Sequence, residues 1–124
     1  MLASQVGNAE LREALIASLR SHGLLSDAPA GAKYLVAANL QRLDQPMFGF
    51  NMTVTSSVHY TVNRASDNSP FFVRTIEAPY TAAVGDAFYG VERLKLANEG
   101  AIRENISRFL QELSRSGAYA LAPL

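Results

Sequence analysis

Few side chains in this sequence could carry out chemistry. There are two histidines, His22 and His59, and no cysteine, so thiolate metal sites and cysteine nucleophiles are absent. Neither histidine has a second histidine three or four residues away, and no pair of carboxylates has the arrangement of metal ligands. The serines are numerous, but none lies in a G-x-S-x-G turn, and the chain has no glycine-rich phosphate loop. We therefore predict no catalytic residue, no metal site, no cofactor and no enzymatic activity.

A polar strip on one predicted strand is the first place where a ligand could bind. Thr55, Ser57 and His59 alternate with less polar residues, so they share one side of the strand. Such a strip is usually the solvated side of a sheet, and this is the interpretation we favour. The alternative function is a small ligand-binding or enzymatic α+β domain that uses this polar face.

Apolar residues in two predicted connections are the second candidate site. Met47, Phe48 and Phe50 lie in and beside a loop, and an exposed apolar loop tip indicates a binding partner. Tyr89 follows Phe88 in the sequence. This aromatic pair either packs where the sheet meets the last helix or contacts a partner. We predict Met47, Phe48, Phe50 and Tyr89 as partner-contact residues.

One long strand has the clearest pattern in the chain. From Phe50 to Asn63 the side chains alternate between a less polar and a more polar set, with many β-branched and aromatic residues. This period of two is typical of a strand, because a helix would scatter the same residues around its axis. Ordinary strands have about 5 or 6 residues. A strand of this length is therefore expected to have two partners, one along each part of its length.

Two further strands are predicted, at Tyr34–Leu43 and Phe71–Ala82. In the second of these, Arg74 interrupts the apolar side, which either a β-bulge or an exposed sheet edge would explain. Pro79 cannot donate a hydrogen bond to a neighbouring strand, and this favours the edge.

A helix is predicted near each end of the chain. The first extends from about Ala9 to His22, with Asn8 as its N-cap, and Gly23 ends it. The second begins after Asp86 and ends near Ser116, with its apolar residues on one face. Gly100 lies inside this helix, where it either brings the helix close to the sheet or produces a kink.

The order helix, strand, strand, strand, helix predicts an α+β fold. We expect an antiparallel meander of three or four strands with both helices packed on one face. A chain of 124 residues has room for one domain, residues 1–124. Residues 1–7 are expected to be flexible or a remnant strand, and residues 117–124 a loose tail.

The charge balance excludes some classes of partner. The 11 basic and 11 acidic residues give no net charge, so nucleic acid is not an expected partner. A neutral protein has little repulsion between copies, and a homodimer is therefore an open alternative. No apolar run approaches the roughly 20 residues that a membrane-spanning helix needs.

Five segments, distributed over most of the chain, carry a resemblance to a known family. These are Leu11–Leu25, Gly49–Val54, Ile76–Ala82, Asp86–Gly90 and Ala97–Ile106. In layout and local sequence they resemble small bacterial envelope lipoproteins, and the most similar architecture is that of the outer-membrane lipopolysaccharide-assembly lipoprotein family.

The resemblance implies a periplasm-facing, non-enzymatic domain that acts as a binding or assembly module. Its partner would be an envelope protein or a lipid, and an N-terminal lipid anchor would hold it at the periplasmic side of the outer membrane. The lipid-bearing cysteine is not among the 124 residues. If Met1 is the native start, the expected location is the cytoplasm instead. The resemblance transfers no functional residue to this chain.

Overall fold

The computed structural model describes residues 7–45, 52–82 and 90–124, without the side chains of Pro29 and Val91. The elements follow in the order α1 (Asn8–Ser21), a 3₁₀ turn (Pro29–Gly31), β1 (Tyr34–Asp44), β2 (Met52–Arg64), β3 (Pro70–Ala82), α2 (Gly90–Ser116) and β4 (Leu121–Pro123). The predicted α+β class and the order of helices and strands are confirmed, with a short fourth strand at the end of the chain.

The strands form a four-stranded sheet in the order β3-β2-β1-β4. The central strand β2 is antiparallel to β1, from Tyr34 opposite Arg64 to Asp44 opposite Thr55, and antiparallel to β3. The long strand therefore has the predicted number of partners. Each partner pairs along most of its length, β1 opposite Thr55–Arg64 and β3 opposite Met52–Asn63, so the prediction of one partner along each part of the strand is wrong. β4 joins the outer side of β1 in a parallel direction, opposite residues 34–36.

Both helices pack on the same face of the sheet. The less polar side of β2 faces them, and its apolar residues are fully buried: Val54, Val58, Tyr60 and Val62. The helices contribute buried residues at helical spacing, namely Leu11, Leu15, Leu19, Ile102, Ile106, Phe109 and Leu113. At the centre, the Tyr60 and Phe109 rings stack in parallel with their centroids 3.9 Å apart. The alternation that predicted the strand thus also identified its core side.

Gly100 lies where α2 packs tightly against Tyr80 of β3. A Cβ atom at this position would collide with the ring of Tyr80 on β3. The ring therefore occupies the space that any other residue would fill, and α2 is assigned as one helix from Gly90 to Ser116. Of the two roles predicted for Gly100, a close approach of the helix to the sheet or a kink, the structure supports the close approach.

β3 lies at the edge of the sheet, as Pro79 indicated. Arg74 lies opposite Tyr60 in register, and the irregularity in the β2–β3 pairing falls elsewhere, between Val62 and Asn63. No bulge is therefore needed at Arg74. Its guanidinium reaches the Glu112 carboxylate of α2 at 2.6 Å, with the arginine side chain still more than half exposed.

The prediction that Asn8 caps the first helix is wrong. Asn8 is the first helical residue, Gly7 takes the N-cap position, and the Gly7 N–H donates to the Glu10 carboxylate at 3.0 Å. The Asn8 side chain accepts a hydrogen bond from the Leu40 N–H at 2.8 Å instead. A contact with the sheet, 32 residues away, therefore replaces the local cap. At the other end Gly23 has a φ of +70°, as its predicted role requires.

The prediction of a loose tail over residues 117–124 is also wrong. Leu121–Pro123 form β4, and Leu121 is fully buried in the core. The Leu121 N–H donates to the Leu24 carbonyl at 2.8 Å, and the Leu124 N–H donates to the Val36 carbonyl at 2.8 Å. Backbone pairing on the outer side of β1 and burial of one leucine are the forces that order this segment.

Candidate functional site

The predicted partner-contact residues Met47, Phe48, Phe50 and Tyr89 lie outside the described residues. The strand ends that border them are described. Asp44 lies opposite Thr55, and Met52 lies opposite Ala82. The β1–β2 connection and the β3–α2 connection therefore leave the sheet at the same end, which we call the Met52 end.

A small core cluster lies beneath the Met52 end. Val54, Ala82, Ala97 and Ala101 are buried together, and Leu43, Met52 and Leu94 pack against them. Small side chains on α2 let this part of the helix approach the strands closely. The two connections therefore start from ordered and packed strand ends.

The polar strip predicted on β2 lies on the face of the sheet that the helices leave open. His59 Nδ1 and Thr75 Oγ1 of β3 are 2.9 Å apart, and the Thr53 and Thr81 hydroxyls are 2.7 Å apart. Above Ser57, Arg42 of β1 reaches across to Glu77 of β3, with 2.9 Å between the charged groups. These polar groups satisfy one another in cross-strand pairs, as on the solvated side of a sheet.

The two histidines are far apart in the fold. His22 Nδ1 lies 2.8 Å from the Ser18 carbonyl at the end of α1, and His59 lies on the open sheet face. In residues 7–45, 52–82 and 90–124, no three His, Asp or Glu side chains are grouped as they would be around a metal ion.

The polar group that sequence analysis missed is Asn105, which is fully buried where α2 crosses β2 and β3. Its Oδ1 accepts from the Tyr60 hydroxyl at 2.8 Å. Its Nδ2 donates to the Ile76 carbonyl at 2.8 Å and to Ser56 Oγ at 3.0 Å. Burial raises the pKa of Tyr60, so the phenol stays neutral and acts as a donor.

Ser56 extends this network to the helix backbone. Its hydroxyl contacts the Ala101 carbonyl at 2.9 Å and the Ala78 carbonyl at 3.2 Å. Every member is hydrogen-bonded, so the network fixes α2 on the sheet and leaves none of these side chains facing a cavity. The signal in the sequence was a polar residue on the apolar stripe of a helix, one position before Ile106.

At the opposite end of the sheet, which we call the Tyr119 end, the exposed Tyr119 lies beside the half-buried Tyr34 and Phe71. Tyr34 packs against Phe71 with ring centroids 4.8 Å apart, and Tyr119 approaches Tyr34 edge-on at 6.3 Å. The Arg64 guanidinium lies 5.1 Å from the centre of the Phe71 ring. An open pocket of about 610 Å³ lies beside these residues, with Lys33 in its wall.

None of the helices in the described part of the chain is long and apolar enough to cross a membrane.

No protein-family model matches the chain, and no curated protein matches it. The fold is similar to that of a candidate lipoprotein from Caulobacter crescentus CB15, with a TM-score of 0.65 and 16% identity over 90% of this chain and 85% of that chain. It is also similar to the hypothetical protein CT253 from Chlamydia trachomatis, with a TM-score of 0.53 and 16% identity over 82% of this chain and 81% of that chain. At this level of identity the likeness establishes a shared fold and no shared activity. The chain therefore has a fold that a candidate lipoprotein also has.

Proposed function

We propose that this protein is a non-enzymatic binding or assembly module of the bacterial cell envelope, held at the periplasmic side of the outer membrane by a lipid outside the 124 residues. The observation that carries the proposal is the likeness to a candidate lipoprotein, which extends over 90% of this chain. The resemblance of the five sequence segments to lipopolysaccharide-assembly lipoproteins supports the outer-membrane location.

The way in which the polar groups are used supports a role without catalysis. Asn105, Ser56 and Tyr60 are buried and bonded to one another or to the backbone. On the open face, His59 is paired with Thr75. A general base or nucleophile must reach a substrate, whereas these groups stabilise the contact between α2 and the sheet or between two strands.

We place the partner-binding surface at the Met52 end. Met47, Phe48 and Phe50 belong to one connection there and Tyr89 to the other, and the strand ends that border both connections are neighbours in the sheet. Apolar and aromatic residues brought to one end of a domain are the side chains that interface cores favour. The partner proposed is an envelope protein or a lipid.

Site-specific photocrosslinking tests this surface in the native cell. A photoreactive amino acid in place of Phe48 is expected to give crosslinks in the envelope fraction. The matched control has the same amino acid in place of Ser107, which is exposed on the outer side of α2. Equal crosslinking from both positions, or recovery of the Phe48 variant only from the cytosol, would count against the proposal.

A further inference from the structure

The Tyr119 end brings two positively charged side chains to the wall of one pocket. Lys33 and Arg64 both line the open pocket, together with Tyr34, Ser66 and Tyr119, and no acidic residue lines it. Among residues 7–45, 52–82 and 90–124, the ion pairs involve other arginines, and neither Lys33 nor Arg64 takes part in one. Two cations are therefore held beside one pocket without a carboxylate between them.

Arg64 is fixed in position before any ligand arrives. Its Nη1 donates to Ser69 Oγ at 3.3 Å and to the Pro70 carbonyl at 3.2 Å, and its guanidinium stacks on Phe71. The nearby Asp67 carboxylate accepts bonds from the Ser69 N–H and hydroxyl, at 3.0 Å and 2.7 Å. Asp67 is thus bonded within its own turn and does not line the pocket, although the charge of Arg64 also helps to lower the pKa of its carboxyl. A positioned arginine loses little side-chain entropy when it binds a carboxylate.

Tyr119 is presented to solvent by an unusual backbone conformation. The following residue, Ala120, has a φ of +53°, a region that residues other than glycine rarely adopt. The Ala120 carbonyl accepts from the Lys33 N–H at 2.8 Å, which ties this turn to the base of the pocket. With 57% of its surface exposed, Tyr119 is one of the most exposed large hydrophobic side chains described. A strained turn that holds an aromatic side chain in solvent is more typical of a binding surface than of a core.

We propose that the Tyr119 end is a docking surface for an acidic segment of a protein partner. A glutamate or aspartate of the partner would sit between Lys33 and Arg64, and a neighbouring apolar group would lie against Tyr119. Tyrosine and arginine are the residues that most often dominate binding energy at protein interfaces. The pocket is wide and shallow, and its charge is one-sided, which suits an extended acidic segment. This surface is separate from the Met52 end and does not depend on the cellular compartment.

The test is an NMR titration of the purified, ¹⁵N-labelled 124-residue protein. The probe is an acetylated and amidated hexapeptide that alternates glutamate and alanine, and the control peptide has glutamine in place of glutamate. The acidic peptide is expected to shift the amide signals of Lys33, Tyr34, Arg64 and Tyr119, while the glutamine peptide leaves them unchanged. Added salt should weaken the effect, because the contacts are between exposed charges.

Two variants make the result specific. Lys33→Gln should weaken binding of the acidic peptide by about 1.4- to 5-fold, the range expected for one exposed charge pair. Arg20→Gln, which removes an exposed cation near the end of α1, should leave binding unchanged. Three results would overturn the proposal. Amide signals could shift throughout the protein, the glutamine peptide could cause the same shifts, or Lys33→Gln could bind the acidic peptide as tightly as the unchanged protein. Tighter binding of a phosphorylated sugar at the same signals would overturn it too, by assigning the pocket to a small anion. The envelope proposal would survive each of these failures.

Discussion

Replacing Asn105 should destabilise the protein more than replacing any exposed polar residue of α2. In Asn105→Ala, the Tyr60 hydroxyl loses its acceptor and the Ile76 carbonyl loses a donor, both at buried positions. Leaving one buried polar group without a partner costs about 1–3 kcal/mol. With two such groups, the free energy of unfolding should fall by about 2–6 kcal/mol, a large part of the roughly 5–15 kcal/mol that a domain has.

The assay is urea unfolding followed by circular dichroism, with thermal unfolding alongside. For a domain of this length, each kcal/mol corresponds to roughly 4 °C, so the midpoint should fall by about 8–24 °C. Gln111→Ala is the matched control, because Gln111 is exposed on the same helix. Its effect should stay within about 0.5 kcal/mol.

A double-mutant cycle separates the hydrogen bond from the rest of the substitution. Tyr60→Phe removes the hydroxyl that donates to Asn105 and keeps the ring that stacks on Phe109. The combined variant should cost less than the sum of the two single variants, by about 0.5–3 kcal/mol. If Asn105→Ala costs no more than Gln111→Ala, or if the two substitutions are additive, the network does not stabilise the contact between α2 and the sheet.

Three further predictions concern the packing of α2, the end of the chain and one turn. Gly100→Ala should destabilise the protein, because the added methyl group meets the Tyr80 ring, but in a Tyr80→Ala background it should stabilise by about 1 kcal/mol through helix propensity. Chemical denaturation of the four variants would show this reversal of sign, and the same sign in both backgrounds would contradict the close approach. Leu121→Ala should lower the free energy of unfolding by about 2–5 kcal/mol, because Leu121 is fully buried. A loss below about 1 kcal/mol, close to what substitutions at exposed sites cause, would mean that the tail is loose. Hydrogen bonds from Ser69 lower the pKa of Asp67. The ionised Asp67 carboxylate therefore stabilises the fold at a pH above the ordinary carboxyl pKa, and this stabilisation is lost as the pH falls through the lowered pKa. Asp67→Asn should therefore reduce stability at neutral pH and make it less sensitive to acid, and an unchanged acid limb in thermal melts would refute this.

The sheet could be predicted well because its information is local. The alternation from Phe50 to Asn63 identified both the strand and its buried side, and Pro79 identified the edge. Gly100 was recognised as a special position because glycine inside a helix has a cost, but the sequence left close approach and a kink as alternatives. Each of these signals depends on a few neighbouring residues.

The parts that could not be predicted depend on distant contacts. Asn8 is a good N-cap by type, but its partner is the Leu40 N–H, which no local pattern reveals. β4 has three residues, too few for any periodicity, and it pairs with a strand more than eighty positions earlier in the chain. Asn105 was overlooked because a single asparagine on a helix is usually solvated, and the Tyr60 hydroxyl that it binds lies 45 residues away.

The candidate binding surfaces also differ in whether a local sequence pattern or contacts between distant residues define them. Met47, Phe48, Phe50 and Tyr89 were selected from their apolar character in predicted connections, and they remain predictions. The Tyr119 end was not predicted, because Lys33, Arg64 and Tyr119 are far apart in sequence and only the strand pairing brings them together. A charge count of zero for the whole chain concealed a local excess of positive charge.

The most direct test of the envelope proposal is the fate of the endogenous protein in its own cells. An antibody against the domain would follow it through fractionation, and mass spectrometry of the purified protein would identify its N-terminal residue and any acyl group. We predict that the protein is in the envelope fraction, is released by detergent but not by salt, and has an acylated N-terminal cysteine upstream of the 124 residues. An unacylated protein recovered in the cytosolic fraction would contradict the account.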